Sequence, residues 1–212
     1  MAGAVAVKGS RPFAGSWVTK KICGIELATI ALVSELGSDA LERLLVEIEA
    51  EFPRFRIIQK SDSWFQRLIH QALVVVTFGQ MREYLDCYHT TLGQRIYVTP
   101  AWPEKSKAER YLVLAHERVH MRQFRRFTWP GMTLLYLLIP LPMGLAYARA
   151  YFEMEAYAES IRAAAEIYGR AHVEAAEYRE YILKQFTGPT YGWMWPFPRY
   201  LENWYEAQLK AL

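Results

Sequence analysis

The segment "YLVLAHERVHMRQF" constrains this chain more than any other. His116 and His120 stand four residues apart, and Glu117 directly follows the first. In a helix, residues at this spacing share a face, with Cβ atoms about 5–6 Å apart. Both imidazoles can then aim a ring nitrogen at one ion at roughly 2.0–2.1 Å. Glu117 sits about 100° round the helix from His116. That is a poor position for a third ligand and a good one for a general base acting on water at the metal. Leu112, Leu114, Ala115 and Val119 are apolar, so the segment reads as a core helix. Histidines and carboxylates buried there need partners. A chance match to the five-residue pattern is expected in about one chain per hundred of this composition. The metal reading therefore outweighs that of an ordinary solvated helix.

Two histidines do not complete a site, since a catalytic zinc takes three protein ligands and keeps one position open. The residues after His120 read "MRQFRRF", which offers no third histidine. Downstream, "YFEMEAYAESI" carries Glu153, Glu155 and Glu159 on one predicted helix, with His172 farther along. Glu153 and Glu155 point about 200° apart, so only one of them can face a given ion. Glu155 and Glu159 share a face, as a ligand and its supporting carboxylate should. This favours Glu155 as third ligand, with Glu153, Glu159 and His172 as alternatives.

The remainder organises around that pair of helices. "SDALERLLVEIEAEF" reads as a helix capped by Ser38, with Leu41, Leu44, Leu45 and Ile48 as its apolar stripe and Pro53 beyond its end. The segment before it, at residues 22–37, is apolar and fits either strand or helix. A further helix starts at Ser61 or Ser63, and the β-branched run from Val74 could be extended. "EYLDCYHTTLGQRIYVTP" favours a hairpin over about residues 84–90 and 95–99, turning at Gly93. The expected fold is α+β and predominantly helical, with a small antiparallel sheet beside the active-site helix. Residues 1–21 read as a flexible N-terminal arm, and 22–212 as a single domain with an aromatic-rich C-terminal tail. His89 falls on the expected edge strand, where a peptide could pair by strand addition.

The residues His116-Glu117-Arg118-Val119-His120, followed by a helix bearing Glu155 and Glu159, resemble the gluzincin metallopeptidases. Gln123 matches an HExxHxxQ variant seen in minimal members. The resemblance covers about residues 84–168. It implies a zincin-like core, a zinc cofactor held by His116, His120 and Glu155, and Glu117 as base. It further implies that Glu159 orients His116 from behind, at a position where the family more often has Asp. Gluzincins also place a Tyr or His where it stabilises the oxyanion, and Tyr191 in the loop "TGPTYGW" is the candidate here.

Composition limits the partners. A net charge of +3 with no run of like charges gives no nucleic-acid patch. Two cysteines without CxxC spacing suit a reducing compartment, and no signal peptide is evident at the start. The expected location is cytoplasmic. Residues 127–148 carry no charge over 22 positions, long enough for a transmembrane candidate, but Pro130, Pro140 and Pro142 interrupt them. A single crossing would put His120 and Glu155 on opposite sides of a bilayer. A buried hairpin is therefore expected, with peripheral membrane contact as the alternative. The expected activity is zinc-dependent hydrolysis of a peptide or protein substrate. The competing readings are a metal-stabilised, non-catalytic binding protein and a membrane-associated protein.

Overall fold

The computed structural model describes residues 27–76, 79, 82–133, 147–188, 195 and 197–212. The N-terminal arm of residues 1–21, the proline break at 140–142 and Tyr191 lie outside the described residues.

Helix α1 (Leu27–Glu51) runs straight through Ser38, which is therefore no cap. Lys107 donates to the Ser38 hydroxyl at 2.6 Å instead. The two segments merge because Gly37 serves packing rather than termination. A Cβ there would meet Ala108 at 2.8 Å. The expected stripe does face inward, with Leu41, Leu44 and Ile48 buried.

Three short strands follow in the order β1-β3-β2. Strand β1 (Arg56–Gln59) is parallel to β3 (Arg95–Val98), and β2 (Thr90–Leu92) is antiparallel to β3. The sheet is thus mixed, not purely antiparallel. Four residues of β1 are too few to show a pattern in sequence, and they were not anticipated. The hairpin turns at Gly93 with φ 63°, as expected, but its first arm is Thr90–Leu92, which meets the expected 84–90 only at Thr90. Residues Tyr84–Cys87 form a helical turn, α3, and His89 precedes β2. Helix α2 (Trp64–Val76) joins β1 to this region after a 3-10 turn at Lys60–Asp62.

Helix α4 (Lys107–Thr133) carries the histidines and kinks at Thr128, whose φ is 59°. Helix α5 (Tyr147–Tyr168) lies antiparallel beside it. The direction follows from the pairings: Tyr111 Oη donates to Glu166 at 2.5 Å, while Gln123 Nε2 donates to the Phe152 carbonyl at 3.0 Å. A single bilayer crossing between these helices is incompatible with that pairing. Among the described residues, no helix is long and apolar enough to cross a membrane.

One core joins α1, the sheet and α4 through Ile48, Ile96, Val98, Leu114 and Ala115. A second lies beyond α5, where Ile161 and Ala164 meet α6 (Arg170–Glu174), α7 (Ala176–Thr187) and α8 (Pro198–Ala211). The aromatic-rich end is thus partly a packed helix, since Leu201, Tyr205 and Leu209 are buried. Helix α4 is also clamped to α1. Arg118, Arg122 and Arg125 converge on Glu51 at 3.0, 2.8 and 2.8 Å. The Arg122 hydrogen bond, with Arg118 adding, outweighs burial and holds the Glu51 carboxyl down at about 2.

Candidate metal centre

Helix periodicity puts His116 and His120 on the face of α4 turned toward α5. Their Nε2 atoms lie 3.2 Å apart. Glu153 comes from α5 to meet them, with one carboxylate oxygen 3.6 Å from His116 Nε2 and the other 3.7 Å from His120 Nε2. A tetrahedral ion with bonds of about 2.0–2.2 Å sets its donor atoms about 3.3–3.6 Å apart. The separations of 3.2, 3.6 and 3.7 Å come within about 0.1 Å of that range, the last two to different Glu153 oxygens. The three residues form the one metal-compatible group among the described residues.

The hydrogen bonds behind the rings fix which nitrogen carries the proton. Ser160 Oγ donates to the Ala156 carbonyl at 3.1 Å, so it accepts from His116 Nδ1–H at 3.0 Å. Gln123 Nε2 donates to the Phe152 carbonyl and to Glu155, at 3.0 and 2.8 Å. That settles the amide orientation, so Gln123 Oε1 accepts from His120 Nδ1–H at 2.9 Å. Both imidazoles therefore turn an Nε2 lone pair toward each other and toward a buried carboxylate. Three acceptors facing one point call for a cation or a proton between them. Burial pushes the His116 imidazole down, but the Glu153 carboxylate, by hydrogen bond and charge, wins. Together with Glu117 it holds that pKa above the usual histidine value. Two imidazole nitrogens and one carboxylate oxygen are a donor set that zinc accepts.

Glu117 reaches the sheet. It is 6% exposed, and Thr91 Oγ1 on β2 donates to its Oε2 at 2.6 Å. Among the described strands β2 is terminal, so the base stands beside a sheet edge. Lys60 nearby in the fold is fully buried, and its Nζ donates to the Tyr84 carbonyl at 3.1 Å. Burial brings the Lys60 amine down to about 7, against the opposing charges of Glu117 and Asp86. His89, packed edge-on to Trp102, is held down to about 3, first by burial and then by Lys105, Lys60 and His116.

The expected residues divide accordingly. His116, His120 and Glu117 occupy the expected places on one helix. Glu155 does not join the histidines; it lies behind Gln123, two hydrogen bonds removed from His120. Glu153, an alternative in the sequence reading, takes that position. Glu159 does not reach His116. It pairs with Arg162 at 2.5 Å, and Ser160 stands behind the histidine instead. His172 lies between Tyr168 and Tyr178, with both ring centroids at 4.9 Å. Thr91, Ser160 and Lys60 carried no motif. The one sequence signal for Ser160 is a run of small residues on α5, Ala156, Ser160 and Ala163, which marks the face pressed against a neighbour.

No family model matches this chain, and no curated protein or solved structure does either.

Proposed function

We propose that this protein is a zinc-dependent metallopeptidase of gluzincin type, with His116, His120 and Glu153 holding the ion and Glu117 as general base. The observation that carries the proposal is the pair of fixed tautomers. Ser160 and Gln123 spend both Nδ1 protons outward, and both Nε2 lone pairs meet beside a buried carboxylate. A zinc ion held there supplies Lewis acidity, which polarises a carbonyl and acidifies water.

The chain's own residues do the rest. Thr91 occupies one oxygen of Glu117 and leaves the other to take a proton from the attacking water. The same oxygen then delivers the proton to the departing amine. An extended peptide pairing along β2 by strand addition would present its backbone beside that carboxylate. Tyr191 is the proposed donor to the oxyanion. A non-catalytic metal protein has no use for Glu117, and its placement on Thr91 beside the histidines favours the enzyme.

Two measurements test the reading. Elemental analysis should find one equivalent of zinc, lost in His116→Ala; one equivalent of iron instead would point to the ferrous chemistry that two histidines and a carboxylate also support. Glu117→Gln should keep the zinc and lower hydrolysis of a casein-type substrate at least about a hundredfold. A variant that cleaves at the wild-type rate removes Glu117 from the mechanism.

A further inference from the structure

Lys60 is a buried charge for which no ion pair is found among the described residues. It is fully buried, and lysine is almost never so unless something requires it. Its ammonium has one hydrogen bond, to the Tyr84 carbonyl, and sits 3.5 Å above the Tyr84 ring. Among the described residues, no carboxylate oxygen comes within ion-pair distance of it.

The surrounding contacts lead to the base. Tyr84 Oη donates to Gln66 Oε1 at 2.7 Å and lies 3.2 Å from Thr90 Oγ1. The next residue, Thr91, holds Glu117. Lys60 thus grips the segment that aims the base, at its carbonyl and its ring together. Its strongest charge partner is Glu117, ahead of Asp86 on α3. The other titratable groups nearby are Tyr84 itself, His70 stacked on Tyr84, Tyr97 on β3 and His89 ahead of β2.

We propose that Lys60 is the counter-charge of Glu117 and a positioning residue for it: it braces Tyr84 to Thr91 and sets a buried positive charge behind the base. The proposal rests on the metallopeptidase reading for its catalytic meaning, but not for the pairing itself. It is supported by the lowered pKa of the amine, which lets the charge be removed near neutrality. Lys60 never touches substrate, so its loss should act on turnover rather than on binding.

The test has two arms. In the first, Lys60→Met should keep the zinc and the circular dichroism spectrum, lower kcat at least about tenfold, and leave KM within about twofold. The part of the alkaline fall in kcat that follows the Lys60 proton should vanish. A folded, zinc-loaded Lys60→Met enzyme with wild-type kcat and an unchanged pH profile overturns the proposal. The second arm uses isotope-labelled lysine in the full chain and needs neither activity nor a folded Lys60 variant. Glu117→Gln should weaken the proton affinity of the Lys60 amine at least about threefold, because the charge that raises it is gone. An unchanged affinity overturns the pairing. If the wild type hydrolyses no peptide yet this coupling appears, the metallopeptidase reading fails and the counter-charge stands.

Discussion

Removing Glu153, Gln123 and Glu155 one at a time should rank zinc affinity in that order of loss, and the structure sets the steps. Glu153→Ala deletes a donor atom and the buried negative charge facing both imidazoles. Its loss should exceed about a hundredfold, or about 2.7 kcal/mol. Gln123→Leu leaves the donors in place but takes the acceptor from His120 Nδ1–H, freeing the ring and its tautomer. Groups in that position are worth about ten- to a hundredfold in metal affinity. Glu155→Ala removes only one of the two acceptors that orient the Gln123 amide, and the Phe152 carbonyl remains at 3.0 Å. The loss there should stay under about tenfold. The assay is competition against a chromophoric chelator with metal-stripped protein at pH 7, with circular dichroism confirming the fold of each variant. A loss in Glu155→Ala equal to that in Glu153→Ala would refute the geometry, because it would make Glu155 the ligand.

The clamp on Glu51 should make stability depend on pH. Its carboxyl is held near 2 against an ordinary 4.5, so its contribution is present above about 4.5 and disappears as pH falls through about 2. Arg122 and Arg125 are about half exposed, and solvent screening reduces the gain. Glu51→Gln should cost about 1–2 kcal/mol in urea unfolding at pH 7 and almost nothing near pH 2; an equal cost at both would remove the clamp as the cause. Gly37→Leu should destabilise by about 1–3 kcal/mol in a thermal melt, since its Cβ would meet Ala108 at 2.8 Å. An unchanged melting temperature would mean that α1 and α4 do not approach as described.

The sequence was most legible where a local period decides the outcome. The histidine spacing on α4, the stripe on α1 and the turn at Gly93 each depend on residues within a few positions. Strand β1 was illegible for the opposite reason. "RIIQ" becomes a strand only because β3, far along the chain, offers it an edge. The hairpin's first arm was placed too early because Tyr88 favours a strand, whereas Lys60 holds the Tyr84 carbonyl in a helical turn. Nothing near Tyr84 in sequence announces a lysine from before α2.

The exchange of Glu155 for Glu153 is a matter of helix phase, and phase is set by the core rather than by the acidic residues. Glu155 and Glu159 do share a face, but sharing a face does not say where that face points. On α5 the buried positions include Phe152, Glu153, Ala156, Tyr157, Ser160 and Ile161, whereas Glu155 is only half-buried. Ala156 and Ser160 are the small residues through which α5 can lie close to α4. Counting back from Ser160 at about 100° per residue, seven positions return to nearly the same direction, and that position is Glu153. Glu155 falls about 200° away, on the flank where the longer reach of Gln123 meets it. A carboxylate can oppose two histidines across a helix pair only if it rises from the face that permits the pair to approach. The small residues mark that face, and they choose Glu153, with Ser160 two turns on to hold His116.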